Sequence, residues 1–445
     1  MKKTILLWLM AALAPAPAQQ QSDILIKISR EDAPVIAIPV FRGSGTAQNF
    51  MAVFNETLNE EIEGAGVLKI AARSMLPRNN PQRPQDFRVV ERGNGDGLTI
   101  SDWASPPVNA NYLAFGYTGI QEDQMVLFGW LFNVTQPLAS AQVIGKLYFG
   151  SINNDGARKV AREFAADILR QFGAESLAGS KIFFVSNRTG DKQIWVMDHD
   201  GSNQKAFAPY RELCTMPSVS PDGGKIAFTR FASGGPQLMI HAADTGRRLP
   251  FLNPPGSFNA TLSFTPDSRE VVFASKVGGF PQLHVANVDG SGLRRLSQSR
   301  AIEVEPKVNP KTGADVVFVS GRGGPQQIYK MNIDGADVTR LSTGEGQASN
   351  PSWHPDGKFI AFSWTKGYEP GNWNVFVMDV ASKKYNQLTH GRGRNENPTW
   401  APDGRHIVFA STRNGSMQIY TMLADGTNVR QLTSAGRNEM PVWGK

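Results

Sequence analysis

Apolar positions in the second half of the chain come in short bursts, each a few residues long and bounded by turn formers. The tetrapeptide Ser220-Pro221-Asp222-Gly223 recurs as Thr265-Pro266-Asp267-Ser268, His354-Pro355-Asp356-Gly357 and Ala401-Pro402-Asp403-Gly404, with a degenerate copy at Asn309-Pro310-Lys311-Thr312-Gly313. The five prolines are spaced by 45, 44, 45 and 47 residues, a period that marks a repeat architecture. Each copy has a physical reason. Proline pre-sets φ at the first central position, aspartate tolerates the second, and glycine accepts the left-handed conformation, so two strands fold back on each other. An apolar strand follows each turn, as in Lys225-Ile226-Ala227-Phe228 and His406-Ile407-Val408-Phe409-Ala410. A Gly-rich turn then leads to a strand opening on glutamine, as at Gln193, Gln282, Gln327 and Gln418. A second turn (Asp200-Gly201, Asp289-Gly290, Asp334-Gly335, Asp425-Gly426) leads to a fourth strand ending in segments such as Arg295-Leu296-Ser297 or Gln431-Leu432-Thr433.

Four strands in about 44 residues is the signature of a propeller blade. Six copies of the Phe-bearing strand, starting near Lys181, Lys225, Glu270, Asp315, Phe359 and His406, predict six blades. The first copy starts at its second strand, whereas the chain finishes on Glu439-Met440-Pro441-Val442-Trp443. That tail matches the first strands Asn350-Pro351-Ser352-Trp353 and Asn397-Pro398-Thr399-Trp400. The last strand is therefore expected to complete the blade begun at Lys181 and to remove two exposed edges. An open solenoid would not need this permutation.

The first half patterns differently. Phe50, Phe54, Leu58 and Ile62 lie at four-residue spacing and predict a helix that Gly64 can end; Val160, Phe164, Ile168 and Phe172 predict a second, starting near Asn154 or Asp155. Strand patterns run from Pro34 to Val40, Tyr112 to Tyr117, Met125 to Asn133 and Ala141 to Phe149. Met75 to Asp96 reads as a loop; Gly93, Gly95 and Gly97 lack the preceding strand and following helix of a phosphate cradle. The expected fold is an α/β N-terminal domain, a mixed sheet with two helices, followed by an all-β six-bladed β-propeller closed by the C-terminal strand. The expected division is residues 1–18 as a signal peptide, 19–172 as the first domain, 173–180 as a linker and 181–445 as the propeller.

Composition narrows the class. Of 445 residues, 40% are hydrophobic, too many for a disordered chain, and the single cysteine, Cys214, supports neither an intramolecular disulfide nor a multi-cysteine metal site. Lys2 and Lys3, the apolar run Ile5 to Leu13 and the small residues Ala16-Pro17-Ala18 read as an export signal, too short to span a bilayer that needs about 20 residues. The mature protein is expected in the periplasm and not embedded in the membrane. Residues 181–445 carry 30 Lys and Arg against 22 Asp and Glu, while the first 180 carry 16 against 17. This basic half favours an acidic partner or anionic surface, or serves solubility alone. No basic run interleaved with aromatics points to nucleic acid.

Candidate chemistry is that of binding. No Gly-x-Ser-x-Gly elbow and no His-Glu-x-x-His pair occurs, and the six histidines fall at different places in their repeats. No catalytic, cofactor-binding or metal-binding residue is expected. In a propeller the first strand of each blade is innermost, so the residues just before its proline converge at one mouth of the channel. Those candidates are Thr215 and Met216, Phe258 and Thr261, Glu303 and Glu305, Ser349 and Asn350, then Arg394, Glu396 and Asn397, and Glu439 and Met440. Glu396 and Glu439 could equally hydrogen-bond backbone amides of neighbouring blades.

The units Pro351-Ser352-Trp353-x-Pro355-Asp356-Gly357 and Gln327-Ile328-Tyr329-x-Met331-Asn332-x-Asp334-Gly335 resemble those of the TolB-type β-propeller family. The resemblance covers residues 181 to 445, and the order of signal, α/β domain and six-copy ring fits the same family. It implies a periplasmic binding protein rather than an enzyme, expected as a monomer. It implies the peptidoglycan-associated lipoprotein Pal as partner at the propeller mouth. It also implies TolA as partner of the mature N-terminal segment, here Gln19, Gln20, Gln21, Ser22, Asp23, Ile24, Leu25 and Ile26. Other Tol envelope proteins and bacteriocins are further implied partners, and outer-membrane integrity and constriction at division the implied role. Related rings leave two alternatives: an exported oligo-uronide lyase and a glycan-binding propeller.

Overall fold

A computed structural model describes residues 33–87, 98–208, 210–255, 258–277, 279–366, 372–391 and 393–445. The expected signal peptide and the segment Gln19 to Ile26 lie outside the described residues.

The N-terminal sheet is built from β1 (Val35–Ala37), β2 (Arg42–Gly43), β3 (Lys69–Ile70), β4 (Tyr112–Gln121), β5 (Gln124–Asn133) and β6 (Gln142–Gly150). Its order is β3-β1-β4-β5-β6, with β2 also on β4. β1 is parallel to β3 and β4, whereas β4, β5 and β6 form an antiparallel meander, so the sheet is mixed as expected. Helices α1 (Met51–Ala65) and α3 (Asn154–Gln171) cover one face; α2 (Ser101–Ala104) is a single turn behind the other. Phe54, Leu58 and Ile62 of α1 meet Val160, Phe164 and Ile168 of α3 in one buried cluster with the sheet. α3 begins on Asn153, whose side chain accepts from the Gly156 N–H at 2.8 Å. α1 runs past Gly64 and ends at Gly66, where φ is +67°. The helical stripe alone could not distinguish the two glycines. Gly66 takes the left-handed cap and also packs against Leu423 of the propeller, whose methyl a Cβ there would meet at 2.7 Å.

Six four-stranded antiparallel sheets follow. Their first strands are Asn438–Gly444 in blade one, then Cys214–Val219, Asn259–Phe264, Glu303–Val308, Ala348–Trp353 and Asn395–Trp400 in blades two to six. The C-terminal strand pairs antiparallel with Lys181–Ser186, Asn438 opposite Ser186 and Trp443 opposite Ile182, and closes the ring as the permuted ends require. The repeated turns behave as their residues dictate: Gly223, Gly357 and Gly404 sit at φ between +65° and +74°. Ser268 takes the same conformation without being glycine. The glutamines that open the third strands have a common task. Gln282, Gln327 and Gln418 each donate to a carbonyl in the connection leaving their own blade (Ala301, Gly346, Gly436), and each side-chain oxygen takes the hydroxyl of Ser297, Ser342 or Thr433. That clamp ties the end of the fourth strand to the start of the next blade.

The N-terminal domain docks on the end of the propeller where first strands turn into second strands. The last carbonyls of α1 have no intrahelical donor, and the dipole makes them attractive to basic groups. His406 Nε2 reaches Gly64 O at 2.9 Å and Arg405 Nε donates to Ala65 O at 3.2 Å, so the Pro-Asp-Gly turn of blade six caps the helix. Beside it, Glu61 meets both His199 (2.9 Å) and Arg162 (3.2 Å), and Arg162 continues to Asp200 of blade one.

His406 is held in turn by Asp403 at 2.6 Å. Burial alone would raise the Asp403 carboxyl, but His406 and the N–H groups of Arg405 and His406 outweigh it and hold it below the usual carboxylate range. A carboxyl depressed in the folded state adds stability above its unfolded value of about 4, and that stability is lost as pH falls through the depressed value. Acidification below about pH 4 is therefore expected to loosen the docking first. Calorimetry should then resolve the two domains into separate transitions, and Asp403→Ala should show the same split at neutral pH.

Candidate functional site: one mouth of the propeller channel

Every first strand carries an irregularity at the same place. The register against the second strand shifts between Thr215 and Ser218, and at the equivalent points of the other five blades. The residue that absorbs each shift has positive φ: Met216 (56°), Thr261 (53°), Glu305 (53°), Asn350 (56°), Asn397 (56°) and Met440 (51°). Asparagine tolerates this conformation, but methionine, glutamate and the β-branched Thr261 do not adopt it readily, at a cost of order 1–3 kcal/mol each. The conformation recurs in all six blades and carries that cost in four of them, and strained backbone gathers where function needs a fixed geometry.

The six residues form a ring around a channel cavity of about 100 Å³, which also takes in Pro217, Leu262, Pro306, Pro351, Pro398 and Pro441. Neighbouring blades are laced together here. Thr261 Oγ1 accepts the Glu305 N–H at 3.2 Å, Glu305 accepts the Asn350 N–H at 2.6 Å, and Ser363 Oγ accepts the Asn397 N–H at 3.0 Å. Burial drives the Glu305 carboxyl upward, and the Asn350 donors and Lys307 oppose that rise.

Of the expected mouth residues, Met216, Thr261, Glu305, Asn350, Asn397 and Met440 belong to this ring. Arg394 and Glu396 lie just outside it, paired at 2.7 Å. Glu439 is held by Lys192 and, at 3.1 Å, by Arg437. Both glutamates are thus engaged by basic side chains of the same face rather than by backbone amides. Phe258 is partly buried against blade four, and Thr215 is buried.

Glu303 departs from the expectation. It is 0% exposed, its carboxylate bound by Arg322 and by Ser320 Oγ at 3.1 Å, and it presents nothing to a partner. Aligning the repeats explains why: Glu303 is the counterpart of Asn395 and Asn438, not of Glu396 and Glu439. Arg413 reaches Asn395 Oδ1 at 3.2 Å and Arg188 reaches Asn438 Oδ1 at 3.0 Å in the same manner. The Ser-x-Arg triplets Ser186-Asn187-Arg188, Ser320-Gly321-Arg322 and Ser411-Thr412-Arg413 that supply these arginines were legible in the sequence and are absent from the expected site. Each guanidinium also covers an aromatic ring, at 4.5 Å for Arg188 over Trp195, 5.3 Å for Arg322 over Tyr329 and 4.9 Å for Arg413 over Tyr420. The result is a rim of arginines, rigid because each is stacked and hydrogen-bonded, around a strained inner ring.

The arrangement can hold another macromolecule. The N-terminal domain sits on the opposite end of the channel, so this mouth faces outward. His199 and His406 belong to the seam with α1, and His241 and His354 bond to Gly246 O and Gly404 O in the turns of the blades.

Comparison with known proteins bears on the family and the fold. The family model for the TolB β-propeller domain matches residues 170–369 and 346–445. A TolB homolog from Chlorobium luteolum is 29% identical over 66% of this chain and 64% of its own length. The Tol-Pal system protein TolB of Bordetella pertussis is 27% identical over 69% of this chain and 65% of its own length. These alignments span just under two thirds of those relatives. The crystal structure of TolB from Acinetobacter baumannii superposes with a TM-score of 0.76 at 22% identity, covering 93% of this chain and 96% of that one. That likeness concerns the fold.

Proposed function

Because the chain belongs to the TolB β-propeller family, which matches well over half of it, we propose that it is the periplasmic protein-binding component of a Tol–Pal envelope system. On this reading residues 1–18 direct export. The propeller mouth binds the peptidoglycan-associated lipoprotein Pal, and residues Gln19 to Ile26 bind TolA; the complex supports outer-membrane integrity and constriction at division. The protein acts as a scaffold and not as a catalyst. Among the described residues no helix is long and apolar enough to cross a membrane, which accords with a partner-mediated attachment to the envelope.

One observation carries the proposal: six non-glycine residues with positive φ converge on a single outward-facing mouth. Strain of this kind fixes side chains and backbone donors in place before a partner arrives, so little ordering entropy is lost on binding. It also offers a clean test. Glycine adopts positive φ without penalty, so Met216→Gly, Asn397→Gly and Met440→Gly together remove mouth side chains without disturbing the backbone. The triple variant is expected to melt no lower than the parent by more than a few degrees, and to bind purified Pal at least 10-fold more weakly. Unchanged Pal affinity would overturn the assignment of this mouth.

A further inference from the structure

Directly below the strained ring lies a second layer, formed by the residue after each first-strand proline, or after Leu262 in blade three. Around the ring it reads Ser218, Ser263, Lys307, Ser352, Thr399 and Val442. All six line the cavity at the far side of the layer, and Lys307 lines the mouth-side cavity as well, so its side chain stands where the two halves of the channel meet. It is the only basic residue lining the mouth-side cavity among the described residues. No hydrogen bond or ion pair to its ammonium occurs among the described residues. Glu305 influences it electrostatically but is not within ion-pair distance, being tied instead to the Asn350 N–H. Lys307 is partly buried and open to the channel; burial pulls its ammonium below the ordinary range, and Glu305 opposes that shift.

The neighbours in the layer supply what an ammonium alone lacks. Ser352 Oγ accepts the Trp400 N–H at 3.2 Å, which leaves its hydroxyl proton available to donate into the channel. Ser218 lines the same cavity from the opposite side of the ring. Above them the ring mixes apolar surface from Met216, Met440, Leu262 and the prolines with the polar Thr261, Glu305, Asn350 and Asn397, the two methionines being neighbours on one side. The mouth-side space of about 100 Å³ is far below the ~300–1,000 Å³ of pockets for drug-sized ligands. One positive charge and flanking hydroxyl donors favour a compact anion, the narrow space limits its size, the nearby Glu305 opposes a second negative charge, and the Met216–Met440 side of the ring offers apolar surface to a short stem.

We infer that the channel is a binding site for a single small monocarboxylate, its two oxygens shared between Lys307 Nζ and the hydroxyls of Ser218 and Ser352, its alkyl end toward the Met216–Met440 side. A carboxylate fits better than a halide because two oxygens can reach the ammonium and a hydroxyl at once, and charge-assisted hydrogen bonds are the strong ones. The site is internal to the ring and does not depend on which macromolecule occupies the mouth.

The test uses the full mature chain and trifluoroacetate, followed by its 19F line, with acetate and chloride as competitors at constant ionic strength. The expected result is saturable broadening at one site per chain, reversed by acetate and not by the same concentration of chloride. Lys307→Met should abolish it while leaving the melting temperature unchanged or higher, since a partly buried charge without an ion-pair partner is removed. Ser352→Ala, with folding checked by its melting temperature because Ser352 Oγ also accepts the Trp400 N–H, should weaken the probe about 3- to 10-fold. Absence of saturable binding in the parent, retention of binding in Lys307→Met, no effect of Ser352→Ala, or displacement by chloride as readily as by acetate would each overturn the inference.

Discussion

Deleting residues 438–445 is expected to yield a chain that no longer unfolds in a single cooperative transition and that associates in gel filtration. The strand removed is the innermost one of blade one. Its loss exposes the whole ladder edge of Lys181–Ser186 and opens the ring between blades one and six. It also strips out the clasp residues: Asn438, bonded to Arg188 and Gln418; Glu439, paired with Lys192 and Arg437; and Trp443, whose Nε1 donates to Ser180 Oγ at 2.9 Å. An exposed apolar edge is a template for pairing with another copy. A graded version is Trp443→Ala, expected to cost about 3–5 kcal/mol because the ring is buried in a cluster with Ile182 and Phe184. A truncated chain that stayed monomeric and melted like the parent would mean the ring does not depend on its last strand.

Arg322→Ala should be nearly as damaging, at about 3–5 kcal/mol, because it leaves the fully buried Glu303 carboxylate without its counter-charge. Glu303→Asn tests the reason. It recreates the pairing that Arg413 makes with Asn395 and Arg188 with Asn438, so most of the stability should survive. Replacing both residues by leucine should also recover much of the loss, since well-packed apolar pairs often match a buried ion pair. Thermal or denaturant unfolding of the three variants decides the matter. Equal losses in Arg322→Ala and Glu303→Asn would show that Glu303 has a role beyond the clamp.

The ring was legible because its turns are governed by local rules. A Pro-Asp-Gly turn needs left-handed glycine at its last position, and the chain meets that need at Gly223, Gly357 and Gly404. The permuted ends could be read because Pro441-Val442-Trp443 repeats the first-strand pattern of Pro351-Ser352-Trp353. All six positive-φ residues were within reach of the same reasoning, since each directly precedes its repeat's first-strand proline or, in blade three, Leu262. What escaped depends on contacts between blades and domains. Glu303 resembles its neighbour Glu305 in sequence and differs from it in burial, and Gly66, where α1 ends, packs against Leu423, more than 350 residues away in the chain. The basic residues Arg405 and His406 carry no local sign that they cap a helix of the other domain. The layer holding Lys307 becomes visible only once the bulged first strands are laid side by side.

Hydrogen–deuterium exchange of the full chain, with and without purified Pal, addresses the functional assignment most directly. Protection is expected around 214–217, 348–351, 395–398 and 438–441, where the first strands enter the channel, and none at the turns 220–224, 265–269 and 354–358 on the opposite end. Protection confined to those turns, or to the N-terminal domain, would contradict the account.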